Sequence, residues 1–328
     1  WQQVSMPLLR ALNFATVASR VRFSEEVLSD TTNFCDCLIG LSAKLSNDNV
    51  GSAVTASLTS AAVATMIFQH EDSYGAAATS VSDSSEAISS SASTAAGYRQ
   101  NQRDAEFLSR QDVPSDIFYE ELWFQSDIPS RFAPNLETLE QKWTAEPKIW
   151  SFWREWYQGF LEGRPLEWEL MRRVALIDNA IWESGASAVA GQIDRTRAKF
   201  DLERHIGELD AELRRATFDR HGVGGNMPPG TLGDTAVAKE LIIVWQPLEN
   251  LKGEISKNDP DPVLLQSIID ALVGALSHGI DWCLKKGDLI VDTAIKWAIP
   301  AAGTGFLALN PAKLEAVIEA ANRLLAQL

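Results

Sequence analysis

The sequence predicts an all-α protein, built as helical bundles or hairpins in two parts joined by a Gly/Pro-rich linker. Three observations predict it. Apolar side chains recur every three to four residues along most of the chain, the spacing that lines one face of a helix. One stretch, 221–234, breaks that pattern with five glycines and two prolines in fourteen residues, which no helix tolerates. Near the end, Asn310-Pro311 sets a capping side chain and a helix-starting proline before a new periodic run. The expected domains are therefore a long-helix region over 1–220, the linker 221–234 and a small helical domain over 235–328.

Taken in order, Leu8, Leu9, Leu12, Phe14, Val17 and Val21 form a first helical stripe behind Pro7. A second helix is expected over 24–46, capped by Ser24. The stretch 51–97 is rich in Ala, Ser, Thr and Gly, a composition shared with flexible linkers. Helix is preferred there because 61–68 is strongly apolar and Ala78, Val81, Ser85, Ile88, Ala92 and Ala95 alternate in steps of three and four. The prolines at 114, 129, 134 and 147 make 113–148 irregular, with room for short helices over 115–126 and 135–144.

Residues 149–216 read as three helices. The first ends near Gly163-Arg164-Pro165, the second covers 166–183, and the third covers 185–216 with Leu202, Ile206, Leu209 and Leu213 in heptad spacing. Beyond the linker, helix is expected over 236–245, with Pro247 starting or kinking the next. Further helices are expected over 262–277 and 279–298, then a loop at 300–305 and a last helix over 311–326.

A hydrophobic content of 45% in 328 residues is enough for a sizeable core. The formal net charge of −15 disfavours nucleic acid and anionic lipid as partners. The densest basic stretch, Arg195, Arg197, Lys199 and Arg204, alternates with Asp194, Asp201 and Glu203 and reads as a solvated helix face. Cys35, Cys37 and Cys283 give neither a disulfide framework nor a redox spacing, so they read as buried thiols in a reducing, cytoplasmic setting. No continuous apolar run in 1–20 suggests a retained signal peptide.

Sites of chemistry are scarce. His70, His205, His221 and His278 share no metal-ligand spacing, no nucleophile elbow precedes a serine, and His221-Gly-Val-Gly224-Gly225 lacks the flanking strand and helix of a dinucleotide loop. No catalytic residue, metal ligand or cofactor site is therefore expected. The unusual feature is tryptophan: Trp143, Trp150, Trp153, Trp156, Trp168 and Trp182 are six of the chain's eleven. Trp150, Trp153, Trp156 and Tyr157 share a helical face beside Arg154. Such a face is either a core between helices or an aromatic surface for a partner or ligand.

Two stretches resemble a known pattern. Trp150-x-x-Trp153-x-x-Trp156-Tyr157 with Gly163-Arg164-Pro165 and Ile181-Trp182-Glu183-x-Gly185 is similar to a motif of functionally uncharacterised, mostly alphaproteobacterial helical proteins. His221-Gly-Val-Gly-Gly-Asn-Met-Pro-Pro229 resembles a Gly-x-Gly-x-Asn-x-Pro-Pro-Glu segment of the same proteins, with Gly230 in place of the Glu. The resemblance implies a bacterial source and a shared architecture. It implies no catalytic residue.

Three functions follow in order of expectation. The first is a non-enzymatic helical interaction, regulatory or scaffold protein, bound to a protein partner or to itself. The second is a membrane-active effector acting through the apolar region 262–309. The third is an enzyme whose site is assembled from distant residues.

Overall fold

The computed structural model describes Met6, Leu9, Arg10, Leu12, Asn13, Thr16 and Val17, then residues 118–121, 133–218, 236–257, 259–286, 297–301, 305–309 and 311–328. The expected helices over 24–46 and 51–97, the cysteines at 35 and 37, His70, His221 and the linker 221–234 lie outside the described residues. Helix dominates what is described. The elements are α1 (Ala133–Ala145), α2 (Pro147–Leu161), α3 (Trp168–Ala175), α4 (Asn179–Glu183), α5 (Ala186–Phe218), α6 (Ala236–Ile255), α7 (Pro262–Lys286), strands β1 (Trp297–Ala301) and β2 (Gly305–Leu309), and α8 (Pro311–Leu325).

The chain forms two compact units, Trp1–Ile193 and Asp194–Leu328, so the division falls inside α5. The C-terminal unit thus begins well before residue 235. The cause is the heptad run in α5: Leu202, Ile206 and Leu209 are buried in one cluster with Leu248, Leu251 and Ile255 of α6, Leu265, Ile268, Ile269 and Leu272 of α7, and Leu314, Val317 and Leu324 of α8. A run of leucines at that spacing joins whatever apolar face lies along it.

Two helix ends show why the N-terminal unit folds as it does. Proline at the first position opens α2, where a missing N–H costs nothing. At its other end the Arg164 N–H donates to Gly159 O (2.7 Å) and the Gly163 N–H to Phe160 O (3.4 Å), with Gly163 at φ +64°. This is a Schellman closure, and it needs the left-handed conformation glycine adopts freely. Gly163 is doubly constrained: a Cβ there would lie 2.6 Å from Tyr119 O.

Several expectations are corrected or narrowed. The single helix over 166–183 is two helices, because Asp178 restarts the coil: its Oδ1 accepts from the Ala180 N–H at 2.7 Å. Pro247 does not begin a helix but lies inside α6. The expected break at 277–279 is absent, since α7 runs on to Lys286. The charge-free stretch after it pairs as an antiparallel ribbon, with Trp297 opposite Leu309 and Ala301 opposite Gly305, where a helix and a loop were expected. Uncharged residues with a Gly at the turn side suit a short ribbon as well as a buried helix, and periodicity over so few residues does not separate the two. Other expectations hold: α1, α2, α5 and α8 lie where spacing and caps placed them.

Candidate functional site

The tryptophan-rich face of α2 is inside. Trp150, Trp153 and Trp156 are 1%, 0% and 5% exposed, and Trp143 of α1 is buried with them. Trp153 meets Phe152 edge-on at 5.1 Å between ring centres and Trp156 edge-on at 6.1 Å, and it lies tilted by 52° against Trp182 of α4 at 6.3 Å. Trp156 packs on Phe160 at 4.9 Å, and Trp143 on Tyr157 at 5.6 Å. These edge-to-face arrangements are those the ring quadrupoles favour. The open aromatic surface envisaged for Trp150, Trp153 and Trp156 is therefore a core. Tyr157 is half-buried, and burial pushes its phenol pKa up. Arg154 is exposed and ion-pairs with Glu140 of α1.

The chain positions carrying the sequence resemblance thus have structural tasks here. The three tryptophans fill the core, Gly163 closes α2, and Gly185, at φ +101°, separates α4 from α5. Trp182 is held by its own backbone neighbour, its Nε1 donating to Ile177 O at 3.0 Å. Trp168 donates from Nε1 to the Tyr119 hydroxyl at 2.8 Å, which fixes the 118–119 turn against the start of α3.

Two cations of the basic stretch of α5 also reach backbone carbonyls within the C-terminal unit. Arg195 donates from Nε (3.1 Å) and a terminal nitrogen (2.8 Å) to Gln327 O, holding the chain's last turn. Lys199 reaches Lys257 O. His205 stands 3.8 Å from Glu208 on the same helix, a pair that attracts only when the imidazole is protonated.

Sequence reading missed Glu254. Its side chain is buried at the end of α6, where Oε1 accepts from the Asp261 N–H (2.7 Å) and Oε2 from Lys257 Nζ (2.6 Å). The Lys257 ammonium and the Asp261 amide hold its carboxyl below the usual carboxylate range. Asp261 in turn accepts from the Val263 and Leu264 amides, capping α7 ahead of Pro262. This is a structural clasp, and the Asp-Pro pair was its one sequence signal. On α3, the Arg172 hydrogen bond, joined by Arg173, draws the Glu169 carboxyl down to about 2 against the opposing effect of partial burial. Burial raises the Asp194 carboxyl and Arg197 opposes it.

Among the described residues, no group of His, Cys, Asp and Glu side chains is placed to hold a metal ion. An open cleft of about 510 Å³ is lined, among the described residues, by Glu137, Glu140, Gln141, Thr144 and Ala145, all from α1.

Among the described residues, the large apolar side chains exposed to solvent besides Tyr119 are on α7. Its inward face buries Leu265, Ile268, Ile269, Leu272 and Ala275. Around the rest of its circumference lie Gln266, Ser267 and Asp270 with Val263, Leu264 and Val273, which are 79%, 44% and 42% exposed, Leu264 and Val273 standing on opposite flanks of the helix. Compared with protein-family models, with curated proteins and with solved structures, the chain finds no match.

Proposed function

We propose that this chain is a non-enzymatic helical interaction or scaffold protein, and that the outer face of α7 is a contact surface. One observation carries the reading: of the four large apolar side chains exposed among the described residues, Val263, Leu264 and Val273 lie on α7. The helix is held rigidly from behind by its buried face, so the exposed valines and leucine are presented at fixed positions. Such preorganisation lowers the ordering cost of association. The polar residues between them keep the surface wettable, as at the rim and edges of reversible interfaces.

Replacing Trp153 or Trp156 perturbs folding before it perturbs binding, whereas α7's outer face is free of that confusion. Sedimentation of the full chain across a concentration series is expected to show self-association. The double substitution Val263→Glu and Val273→Glu is expected to abolish it with the far-ultraviolet circular dichroism unchanged. A chain that stays monomeric throughout the series, or one whose association ignores both substitutions, refutes the assignment of this surface.

A further inference from the structure

On the side of α7 away from its buried face, four exposed side chains follow a symmetric spacing. Val263, Gln266, Asp270 and Val273 succeed one another in steps of three, four and three. At about 100° of turn per residue they fall within one stripe roughly 80° wide. Leu264 stands outside that stripe, on the other flank.

The stripe reads Val, Gln, Asp, Val and is centred on position 268. A two-fold axis through that centre, perpendicular to the helix, carries position 263 onto 273 and position 266 onto 270. An antiparallel second copy therefore sets valine against valine at both ends and glutamine against aspartate on both sides of the axis. The valines bury apolar surface against each other. The amide donates and the carboxylate accepts. Gln266 Nε2 already donates to Asp270 Oδ1 within the helix at 2.9 Å. The amide has a second N–H and the carboxylate a second oxygen, so a bond across the axis adds to the one already made. A parallel copy would instead set Asp270 directly against Asp270. In the antiparallel pair those two carboxylates are staggered by about 6 Å along the helix. Each copy carries a net charge of −15, and a stripe with a single carboxylate faced by an amide adds little to the repulsion between copies. Four side chains a copy make a small contact, of the kind that forms transient complexes.

We infer that α7 pairs with α7 of a second copy, antiparallel and two-fold symmetric about position 268, with Val263 against the partner's Val273 and Gln266 against the partner's Asp270. The inference rests on the reading of α7 as the contact surface and adds the orientation and register of the occupant. The pairing is isologous and closes on itself at the dimer.

Sedimentation of the full chain across a concentration series tests it with variants at the two valines, both exposed. Val263→Lys alone and Val273→Glu alone each face an apolar side chain with an unpaired charge and are expected to weaken association about tenfold or more. Val263→Lys with Val273→Glu in one chain is expected to restore it, because each introduced ammonium then meets an introduced carboxylate of the partner. The two positions are about 15 Å apart along the helix, so the rescue cannot arise within one chain. An equimolar mixture of the two single variants is expected to associate as well, through one such ion pair and one valine pair. Far-ultraviolet circular dichroism is expected to be the same for all of them. If the double variant and the mixture stay as weak as the single variants, while Val263→Glu with Val273→Glu abolishes association, the register is overturned and the surface stands. A wild-type chain that is monomeric throughout the series overturns the surface, and the pairing with it.

Discussion

Replacing Trp153 by Ala tests the assignment of the α2 aromatic face to the core. The side chain is fully buried, and a buried indole removes roughly 150–250 Å² from water. At about 25 cal/mol per Å² that area corresponds to ~4–6 kcal/mol. Loss of the edge-to-face contacts with Phe152 and Trp156 adds to it, at roughly 0.5–1.5 kcal/mol per aromatic pair. One factor acts the other way: Trp153 Nε1 is buried with no acceptor, and deleting an unsatisfied donor returns about 1–3 kcal/mol. The net expectation is a loss of about 4 kcal/mol, within the roughly 3–5 kcal/mol typical of large aromatic truncations. Trp153→Phe keeps most of the area and also removes the stranded N–H, so it is expected to cost under about 2 kcal/mol. Urea denaturation followed by circular dichroism, with hydrogen exchange over 147–161 to localise the effect, measures both. If Trp153→Ala costs less than about 1 kcal/mol, or no more than Trp153→Phe, the indole is not packed as described.

Gly163→Ala is expected to lower the melting temperature by several degrees, since it forces a side chain into φ +64° and onto Tyr119 O. The same substitution at Gly191, where a Cβ meets nothing within 4 Å, is expected to be neutral or slightly stabilising and serves as the control. Glu254→Gln is expected to destabilise the C-terminal unit at neutral pH. The folded-state pKa of Glu254 is lowered by Lys257 and the Asp261 amide. Its stabilisation is therefore complete above the unfolded carboxylate value of about 4.3 and is lost as pH falls through the folded value. The stability gap between wild type and Glu254→Gln should accordingly narrow from pH 5 to pH 3 in denaturant titrations. A gap that holds constant or widens on acidification contradicts the clasp. Asp261→Ala, which strips the cap from α7, should cost about 1 kcal/mol by the same measurement.

Which features were legible in the sequence depended on whether their cause was local. The ends of α2 and α8 were readable because proline and glycine act through their own backbone, and the heptad in α5 was readable because its period is written in four residues. The gap between α3 and α4 was not read. Leu176-Ile177-Asp178 continues a helical pattern until the Asp178 carboxylate finds the Ala180 amide, and that cap competes with coil continuation on a margin of about 1 kcal/mol. The division inside α5 was also hidden, because one uninterrupted helix serves two cores: Val189 and Ile193 are buried in one unit, Leu202 and Leu209 in the other. The aromatic face of α2 was found, but spacing shows only that residues share a face. What lies against that face comes from Trp182 and Trp143, and no period records it. Of the Glu254 clasp only the Asp261-Pro262 pair was legible; Glu254 itself was not, since its partner amide is seven residues on in an irregular turn.

The same packing bears on which function is compatible with α7. In a membrane-active role this helix would leave its place and take its apolar face into lipid. No helix among the described residues is long and apolar enough to cross a bilayer, so insertion would have to be shallow and driven by that face. The side chains it left behind would then lose their cover: Leu202, Leu209, Leu248, Leu251 and Val317 are all fully buried against the same cluster. Exposing five such groups costs on the order of 10 kcal/mol, comparable to the roughly 5–15 kcal/mol that holds a whole domain together. Insertion of α7 is therefore equivalent to unfolding the C-terminal unit. An interaction through Val263, Leu264 and Val273 has no such requirement, because those side chains face outward while the core behind them stays closed.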